Sequence, residues 1–198
     1  MLPHLRFLPG LLAASLLVSG CATTAVEPVT RARVADPDVL TQWTAKGRIA
    51  LVAHGEGGSG SFVWQQRSER TELRVRGPLG AGGLQVVTDG ETLELANGTG
   101  EPLDGAAARA EFERRLGVAL PLTELRYWML GVPAPPAAGG PVEKPEGATA
   151  PGFIQRGWTV TYDTLGAQAG WQLPARLSAA TGATRVRIVI DDWVLPTP

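Results

Sequence analysis

Residues 48–64 read RIALVAHGEGGSGSFVW, two apolar runs separated by a glycine-rich stretch. The run at 48–53 predicts one β-strand and residues 60–64 predict a second, with the turn between them in the glycine-rich stretch. Residues 71–76 follow, with Leu73 and Val75 alternating with charged residues, as in a strand that buries one face. Strands joined by short turns pair antiparallel, so this region predicts an antiparallel meander.

The same period of two recurs on both sides of a helical region. Strands are predicted at 83–88 and 92–96, joined by the hairpin dipeptide Asp89-Gly90, and again at 158–162, 175–179 and 184–190. Between them, Asp104 is placed to cap a helix that ends at Leu116 before Gly117. A second helix is predicted with Pro121 in its first turn and Gly131 as its stop. Residues 132–152 are rich in proline and glycine, which predicts an irregular loop.

Composition excludes several classes of protein. The 198 residues carry 18 basic and 19 acidic side chains, one cysteine and two histidines, with a net charge of -1. This balance gives no electrostatic footprint for nucleic acid and no polybasic attraction to a membrane. A single cysteine excludes an internal disulfide framework, and with two histidines it cannot complete a Cys/His zinc site. The chain is predicted to form one globular domain.

The single cysteine, Cys21, follows a segment typical of secretory signals. Residues 1–20 combine early basic residues with an apolar run and small residues before the cysteine. Val18-Ser19-Gly20-Cys21 looks like a bacterial lipobox, in which the cysteine receives lipid; a plain signal peptide with a chance cysteine is the alternative. The predicted organisation is therefore a lipoprotein signal peptide at 1–20, an acylated N-terminus and flexible tether at 21–38, and the folded domain at 39–198. Ala22, in place of aspartate, favours the outer membrane over the inner.

The sequence offers no candidate catalytic or cofactor site. Gly55, Gly57 and Gly60 match the spacing G-x-G-x-x-G, but a strand follows where a dinucleotide fingerprint needs a helix. His54 lies beside the glycine-rich turn, where nothing predicts the rigid carboxylate partner that a Ser-His-Asp site needs. Asp191 and Asp192 are neighbours on a strand and point to opposite faces. We therefore predict a protein that is not an enzyme and that uses no cofactor and no metal.

Two short helices cannot cover the apolar face of so many strands. The sheet must curl into a barrel or half-barrel, or keep an apolar cavity beneath a helical lid. Six tryptophans are available either to fill the core or to line such a cavity. In the loop at 76–83, Leu79 lies between Pro78 and Gly80 and either protrudes as a wedge for a bilayer or folds back onto the sheet.

Seven segments of the chain, in order and behind the lipobox, together resemble the LolB family of outer-membrane lipoprotein receptors. They are GRIA (47–50), FVWQQ (62–66), GPLG (77–80), LPLTELRYWMLGVP (120–133), QRGW (155–158), LP (173–174) and RVRIVIDDW (185–193). The resemblance implies a mainly β fold with a few helices, an unclosed antiparallel β-barrel with a helical lid over a hydrophobic cavity. It also implies that the protein accepts lipoproteins from the periplasmic carrier LolA and incorporates them into the outer membrane. A generic lipid-binding or structural lipoprotein is the alternative.

The resemblance also implies particular sites and partners. Cys21 is the expected site of lipid attachment, and Pro78, Leu79 and Gly80 form the expected membrane-insertion loop. The expected partners are LolA carrying a lipoprotein, acylated clients and the inner leaflet of the outer membrane, on whose periplasmic face the protein acts as a lipid-anchored monomer without nucleic acid. The residues expected to bind acyl chains in the cavity are Phe62, Trp64, Leu73, Val75, Leu125, Trp128, Met129, Trp158, Val160 and Ile188.

Overall fold

The structure is a computed structural model that describes residues 32–77, 83–96, 101–147 and 149–196. Three helices lie within these residues: α1 (Gly105–Leu116), α2 (Leu122–Met129) and α3 (Pro136–Gly139). The strands are β1 (Arg33–Val34), β2 (Gln42–Ala53), β3 (Glu56–Arg67), β4 (Arg70–Arg76), β5 (Gly83–Thr88), β6 (Leu93–Ala96), β7 (Leu103–Asp104), β8 (Val142–Glu143), β9 (Gly152–Gln155), β10 (Trp158–Gln168), β11 (Trp171–Thr181) and β12 (Thr184–Val194).

All twelve strands belong to one sheet. Its order is β7-β6-β5-β4-β3-β2-β12-β11-β10-β9-β8, and every neighbouring pair along that path is antiparallel; β1 pairs with β11 in parallel. The path brings the last long strand, β12, against β2, so the two halves of the chain meet in the middle of the sheet. Within the described residues β7 and β8 end the path without pairing to each other, so the barrel is unclosed. The predicted fold class is confirmed.

A glycine allows the two halves to approach closely. The pairing of β12 with β2 shifts register between Ile190 and Asp192, opposite Gly47 and Lys46. A β-carbon built on Gly47 would lie 2.0 Å from the backbone oxygen of Val189, so no larger residue fits without moving the strands apart. Such irregularities bend a sheet and increase its twist, which helps it curl around its apolar face.

The hairpin between β2 and β3 differs from the sequence prediction. The turn consists of His54 and Gly55 alone, with φ of 52° and 85°, as expected for a two-residue hairpin turn. β3 therefore begins at Glu56, and the prediction that it begins at residue 60 is wrong. Gly57, Gly58 and Gly60 pair in register with β2, because the hydrogen bonds between the two strands join backbone groups and need no side chain.

The core lies between the inner face of the sheet and helices α1 and α2. Trp43 stacks on Trp64 with ring centroids 6.0 Å apart, and Trp128 of α2 meets Trp158 of β10 at 6.3 Å. The hydroxyl of Tyr162 donates to the backbone oxygen of Trp128 at 3.0 Å, which ties α2 to the sheet. Burial raises the pKa of Tyr162, so this donor stays protonated at neutral pH.

The proline-rich segment after α2 is more ordered than its composition predicts. It contains the short helix α3 and the strand β8, and one buried side chain, Gln155, binds it. The Gln155 oxygen accepts from the indole N–H of Trp128 and the backbone N–H of Ala134, both at 3.0 Å, and its nitrogen donates to the Ala134 carbonyl at 2.9 Å. The prediction of an irregular loop is wrong. The side-chain amide of Gln155 supplies hydrogen-bond partners to backbone groups of this segment that do not pair with a neighbouring strand.

The compact body starts earlier than the predicted boundary at residue 39. The backbone N–H of Arg33 donates to the carbonyl of Gly170 at 2.9 Å, and its guanidinium lies 4.4 Å from the centre of the Trp171 ring. Ala35 and Leu40 are buried. The described residues, from 32 to 196, belong to one compact unit. No helix among the described residues has both the length and the apolar character needed to cross a membrane.

Candidate functional site

The antiparallel strands place their turns at two opposite ends of the sheet. The turns at 54–55 and 182–183, the last residue of β4 (Arg76) and the first residue of β5 (Gly83) lie at one end, here called the cavity end. The turns at 68–69, 89–92 and 169–170 lie at the other, called the β1 end because β1 pairs beside the last of them.

A cavity of about 570 Å³ opens at the cavity end, between the sheet and α1. Its volume lies within the range of small-molecule sites, roughly 300 to 1,000 Å³. Phe112 and Leu116 of α1 form the roof, one helical turn apart on the same face of the helix. Six aliphatic side chains from four strands, β2, β4, β5 and β12, form the floor: Ile49, Leu51, Leu73, Val75, Leu84 and Val186.

Glycines of β3 keep this space open. On the inner face of β3, Trp64 and Phe62 are followed toward the cavity end by Gly60 and Gly58, so large side chains stop where the cavity begins. Gly58 pairs with Leu51 of the floor, and a β-carbon built on Gly58 would have nothing within 4 Å. Gly60 serves a different purpose, because a β-carbon there would lie 2.1 Å from the backbone oxygen of Arg76.

The roof helix α1 has the limits that the sequence predicts. It begins after Asp104, although the Asp104 side chain makes no capping hydrogen bond, and ends where Gly117 takes a left-handed conformation with φ of 68°. The backbone N–H of Gly117 donates to the carbonyl of Glu113 at 2.8 Å, which closes the last turn. Ala108 and Phe112 are buried, so one side of α1 covers the core and the cavity.

The cavity is apolar inside and charged at its rim. Glu111 of α1 accepts from the guanidinium groups of Arg114 at 2.7 Å and Arg115 at 2.6 Å, and these two arginines also line the mouth. The hydrogen bonds from Arg114 and then Arg115 lower the pKa of Glu111 to about 2. His54 and Glu56 complete the rim at the β2–β3 turn. Such a site suits an amphiphile whose hydrocarbon enters and whose polar end remains in water.

Two of the ten residues predicted to bind acyl chains, Leu73 and Val75, line this cavity. The other eight lie in the buried core and outside its lining: Phe62, Trp64, Leu125, Trp128, Met129, Trp158, Val160 and Ile188. A chain would reach those eight only by separating side chains that contact one another here. Contact of any of the ten with an acyl chain stays a prediction. Cys21, Pro78, Leu79 and Gly80 lie outside the described residues.

Sequence reasoning missed most of the lining. Ile49 and Leu51 belong to the strand at 48–53, and Val186 alternates with Ile188, so the pattern marked them as apolar without separating cavity from core. Phe112 and Leu116 showed helical spacing but no sign of which part of the sheet they would cover. The most direct available signal was Gly58, because an inner-face glycine leaves unfilled volume.

Two other hollows are present among the described residues. One, also of about 570 Å³, lies beside α3 and β9 and has Glu143 and Arg156 in its walls. The other, of about 150 Å³, lies near the β1 end beside Glu69 and Arg126. Neither has the continuous aliphatic floor of the cavity under α1, which is therefore the candidate site for an apolar ligand.

Comparison with known proteins gives consistent matches. The family model described as "Outer membrane lipoprotein LolB" matches residues 41–193. Proteins named outer-membrane lipoprotein LolB are 31% identical to this chain in Halorhodospira halophila (95% of this chain, 94% of that protein), Alkalilimnicola ehrlichii (92% and 94%) and Azoarcus sp. (98% and 99%). Among solved structures, the LolA superfamily protein NE2245 from Nitrosomonas europaea aligns with a TM-score of 0.48 at 10% identity, over 85% of this chain and 91% of that chain.

Proposed function

Because this chain belongs to the LolB family of outer membrane lipoproteins, we propose that it accepts acylated lipoproteins from the periplasmic carrier LolA and incorporates them into the outer membrane. In this proposal the protein is a monomer attached through lipid on Cys21 and faces the periplasm. The observation that supports the proposal is the aliphatic cavity under α1, with a charged rim and an open mouth.

The cavity can hold hydrocarbon because transfer of apolar groups out of water is favourable. Each buried methylene contributes about 0.8 kcal/mol, so even a short length of acyl chain is held appreciably. Aliphatic walls offer no hydrogen bond that would select one client, and the charged rim leaves the attached polypeptide in water. Transfer then proceeds from the carrier to the receptor and on to the bilayer, each offering the chains an apolar environment, without nucleotide hydrolysis.

Release into the membrane is assigned to the loop that contains Leu79. Insertion of a leucine side chain into a bilayer contributes about 1.5 to 3 kcal/mol when burial is complete. Leu79 follows Arg76, the last residue of β4, whose inner-face neighbour Val75 belongs to the cavity floor. In this proposal, insertion of Leu79 into the bilayer holds the cavity mouth next to the lipid surface.

A transfer assay tests the proposal. The purified chain is mixed with LolA carrying a radiolabelled lipoprotein, and the label is followed to the receptor and then to added vesicles. We expect the label to leave LolA and to reach the vesicles only when this chain is present. A chain that binds free fatty acid but takes nothing from LolA would instead be a generic lipid-binding lipoprotein. A chain that binds no acylated probe at all would be structural.

The same assay separates the two steps. Leu79→Glu is expected to accept the lipoprotein from LolA at the parental rate and to deliver it to vesicles more slowly, because a carboxylate resists entry into hydrocarbon. Equal delivery by Leu79→Glu and the parent would remove the wedge role while leaving the receptor role intact.

A further inference from the structure

The middle of the sheet's outer face carries neutralised charges. Three cations there each meet a carboxylate, on the same strand or on a neighbouring one. These pairs are Lys46 with Asp192 at 3.5 Å, Arg48 with Asp191 at 2.9 Å, and Arg74 with Glu72. Asp191 and Asp192 both lie on this face, because the irregularity between Ile190 and Asp192 breaks the alternation of β12; the prediction that they point to opposite faces is wrong. The hydrogen bond from Arg48 lowers the pKa of Asp191, which keeps that pair charged. A fourth cation there, Arg176, is exposed and forms no ion pair with a described residue, so this part of the face keeps a small net positive charge.

The cavity end of the same face is different. Arg76, Arg185 and Arg187 are exposed and form no ion pair with any other described residue. Their cross-strand neighbours carry no charge: Arg185 lies between Ala180 and Val52, Arg187 between Ser178 and Ala50, and Arg76 between Ser61 and Gly83. At about 4.8 Å between strands, β4 and β12 are roughly 15 Å apart. We call these three arginines the basic patch.

Acidic groups dominate the turns at the β1 end. Five exposed carboxylates lie there, in the segment before β2 and in the turns after β3 and β5: Asp36, Asp38, Glu69, Asp89 and Glu91. Glu69 forms an ion pair with Arg126 at 2.6 Å, and the others form none with described residues. Arg33, Arg67 and Arg70 are exposed at the same end, so the β1 end carries charges of both signs, whereas the basic patch has no carboxylate among its cross-strand neighbours.

We propose that the basic patch binds the headgroups of anionic phospholipids and turns the cavity end toward the bilayer. The inference rests on the proposed function, for which the mouth must face the membrane that receives the acyl chains. Attraction between arginine and an anionic surface fades within a Debye length, about 8 Å at physiological ionic strength. Only an orientation with the cavity end toward the bilayer brings the patch that close to the surface.

The length of the N-terminal segment is compatible with this orientation. Residues 22–32 separate Cys21 from β1, and a chain of that length spans at most ~40 Å. The eleven residues of β12 rise about 36 Å, less when the strand is tilted in a barrel. A lipid on Cys21 therefore does not prevent the cavity end from reaching the bilayer that holds that lipid.

Vesicle binding by the mature chain tests the proposal. Residues 21–198 with Cys21→Ser, which cannot be acylated, are sedimented with vesicles of phosphatidylethanolamine alone or mixed with phosphatidylglycerol. The test variant is the double substitution Arg185→Gln and Arg187→Gln. Its matched control is Arg67→Gln with Arg70→Gln, two exposed arginines of the same outer face beside the turn at the β1 end. Both variants change the net charge by the same amount.

We expect the parent to bind the mixed vesicles more tightly than the neutral ones, with the difference falling as salt is added. One arginine near an anionic surface accounts for about a fivefold change in partition, so the test variant should bind about 30-fold more weakly. The affinity of the control variant for the mixed vesicles should stay within about twofold of the parent's. If both variants lose the same amount of vesicle affinity, net charge alone accounts for binding. If the test variant loses none, the patch does not contact the lipid. Either result overturns the proposal.

The transfer assay distinguishes this failure from failure of the proposed function. A chain that takes lipoprotein from LolA but binds vesicles without help from the patch remains a receptor with another orienting contact. A chain whose patch binds vesicles but which takes nothing from LolA is a membrane-binding protein of another kind, and the orientation would then serve a different ligand.

Discussion

Replacing Gly58 with leucine is expected to block the cavity without disturbing the fold. Gly58 lies on the inner face of β3 opposite Leu51 of the cavity floor, and a β-carbon there meets nothing within 4 Å. The new side chain therefore enters space that an acyl chain would occupy. Leucine adds four carbons, and each displaced methylene costs about 0.8 kcal/mol of binding free energy, so the loss is about 3 kcal/mol. This corresponds to a dissociation constant about 150-fold higher.

The measurement is fluorescence titration of the mature chain with a dansyl-labelled fatty acid, followed by the LolA transfer assay. Gly58→Ala adds one carbon and should weaken binding about fourfold, which gives a graded series. Ser61→Leu is the matched control, because Ser61 lies on the same strand outside the cavity lining and points to the outer face opposite Arg48. It carries the same added leucine and should bind the probe as the parent does.

Urea unfolding shows whether each variant is folded before binding is compared. If Gly58→Leu is folded and binds the probe with parental affinity, the cavity under α1 is not the acyl-chain site. The core around Trp128 and Trp158, where the sequence places several acyl-binding residues, would then be the next candidate. If Ser61→Leu weakens binding as much as Gly58→Leu, the effect comes from β3 as a whole and not from cavity volume.

Three further predictions concern stability. Gly60→Ala should lower the free energy of unfolding by about 3 kcal/mol, because its β-carbon would lie 2.1 Å from a backbone oxygen, whereas Gly58→Ala, with open space, should not. Gln155→Leu should cost about 3 kcal/mol in urea unfolding, because the indole N–H of Trp128 and two backbone groups would lose their buried partner. Glu111→Gln should destabilise the protein at neutral pH, and the difference from the parent should shrink as the pH falls from 4.5 toward 2, since the pKa of Glu111 is lowered to about 2 in the folded protein.

Each stability prediction has a result that contradicts it. Equal unfolding energies for the two alanine variants would mean that β3 and β4 move apart at no cost. A Gln155→Leu protein as stable as an exposed Gln172→Leu control would show that the proline-rich segment is held by other contacts. A constant difference between Glu111→Gln and the parent from neutral pH down to about 2 would mean that ionisation of the carboxyl does not hold the helix end.

The helices and most strands could be predicted because their signals are local. The limits of α1 follow from Asp104 before it and Gly117 after it, and alternation on β4 and β12 shows which residues face inward. The start of β3 could not be predicted in the same way. Glycines are typical of turns, and only pairing with β2 along the whole hairpin shows that they continue a strand.

The cavity residues were predicted less well than the fold. Large aromatic residues were natural candidates for a cavity lining, yet Trp64, Trp128 and Trp158 contact other aromatic rings or the sheet and are buried in the core. Apolar alternation shows that a residue faces inward, and it contains no information about whether the space opposite is filled. That depends on which helix crosses which strands, a contact between residues far apart in the chain.

The amino-acid sequence by itself determined the antiparallel sheet, the two longer helices and the resemblance to an outer-membrane lipoprotein family, because these depend on periodicity, capping residues and motifs along the chain. Only the tertiary structure decided where the cavity lies and how charge is distributed. A net charge of -1 predicts no attraction to a membrane, but the strand order places Arg76 at the same end as Arg185 and Arg187, with no carboxylate among their cross-strand neighbours. The net charge of a sequence does not record where the charged side chains lie, whereas their electrostatic attraction to a surface depends on their distance from it.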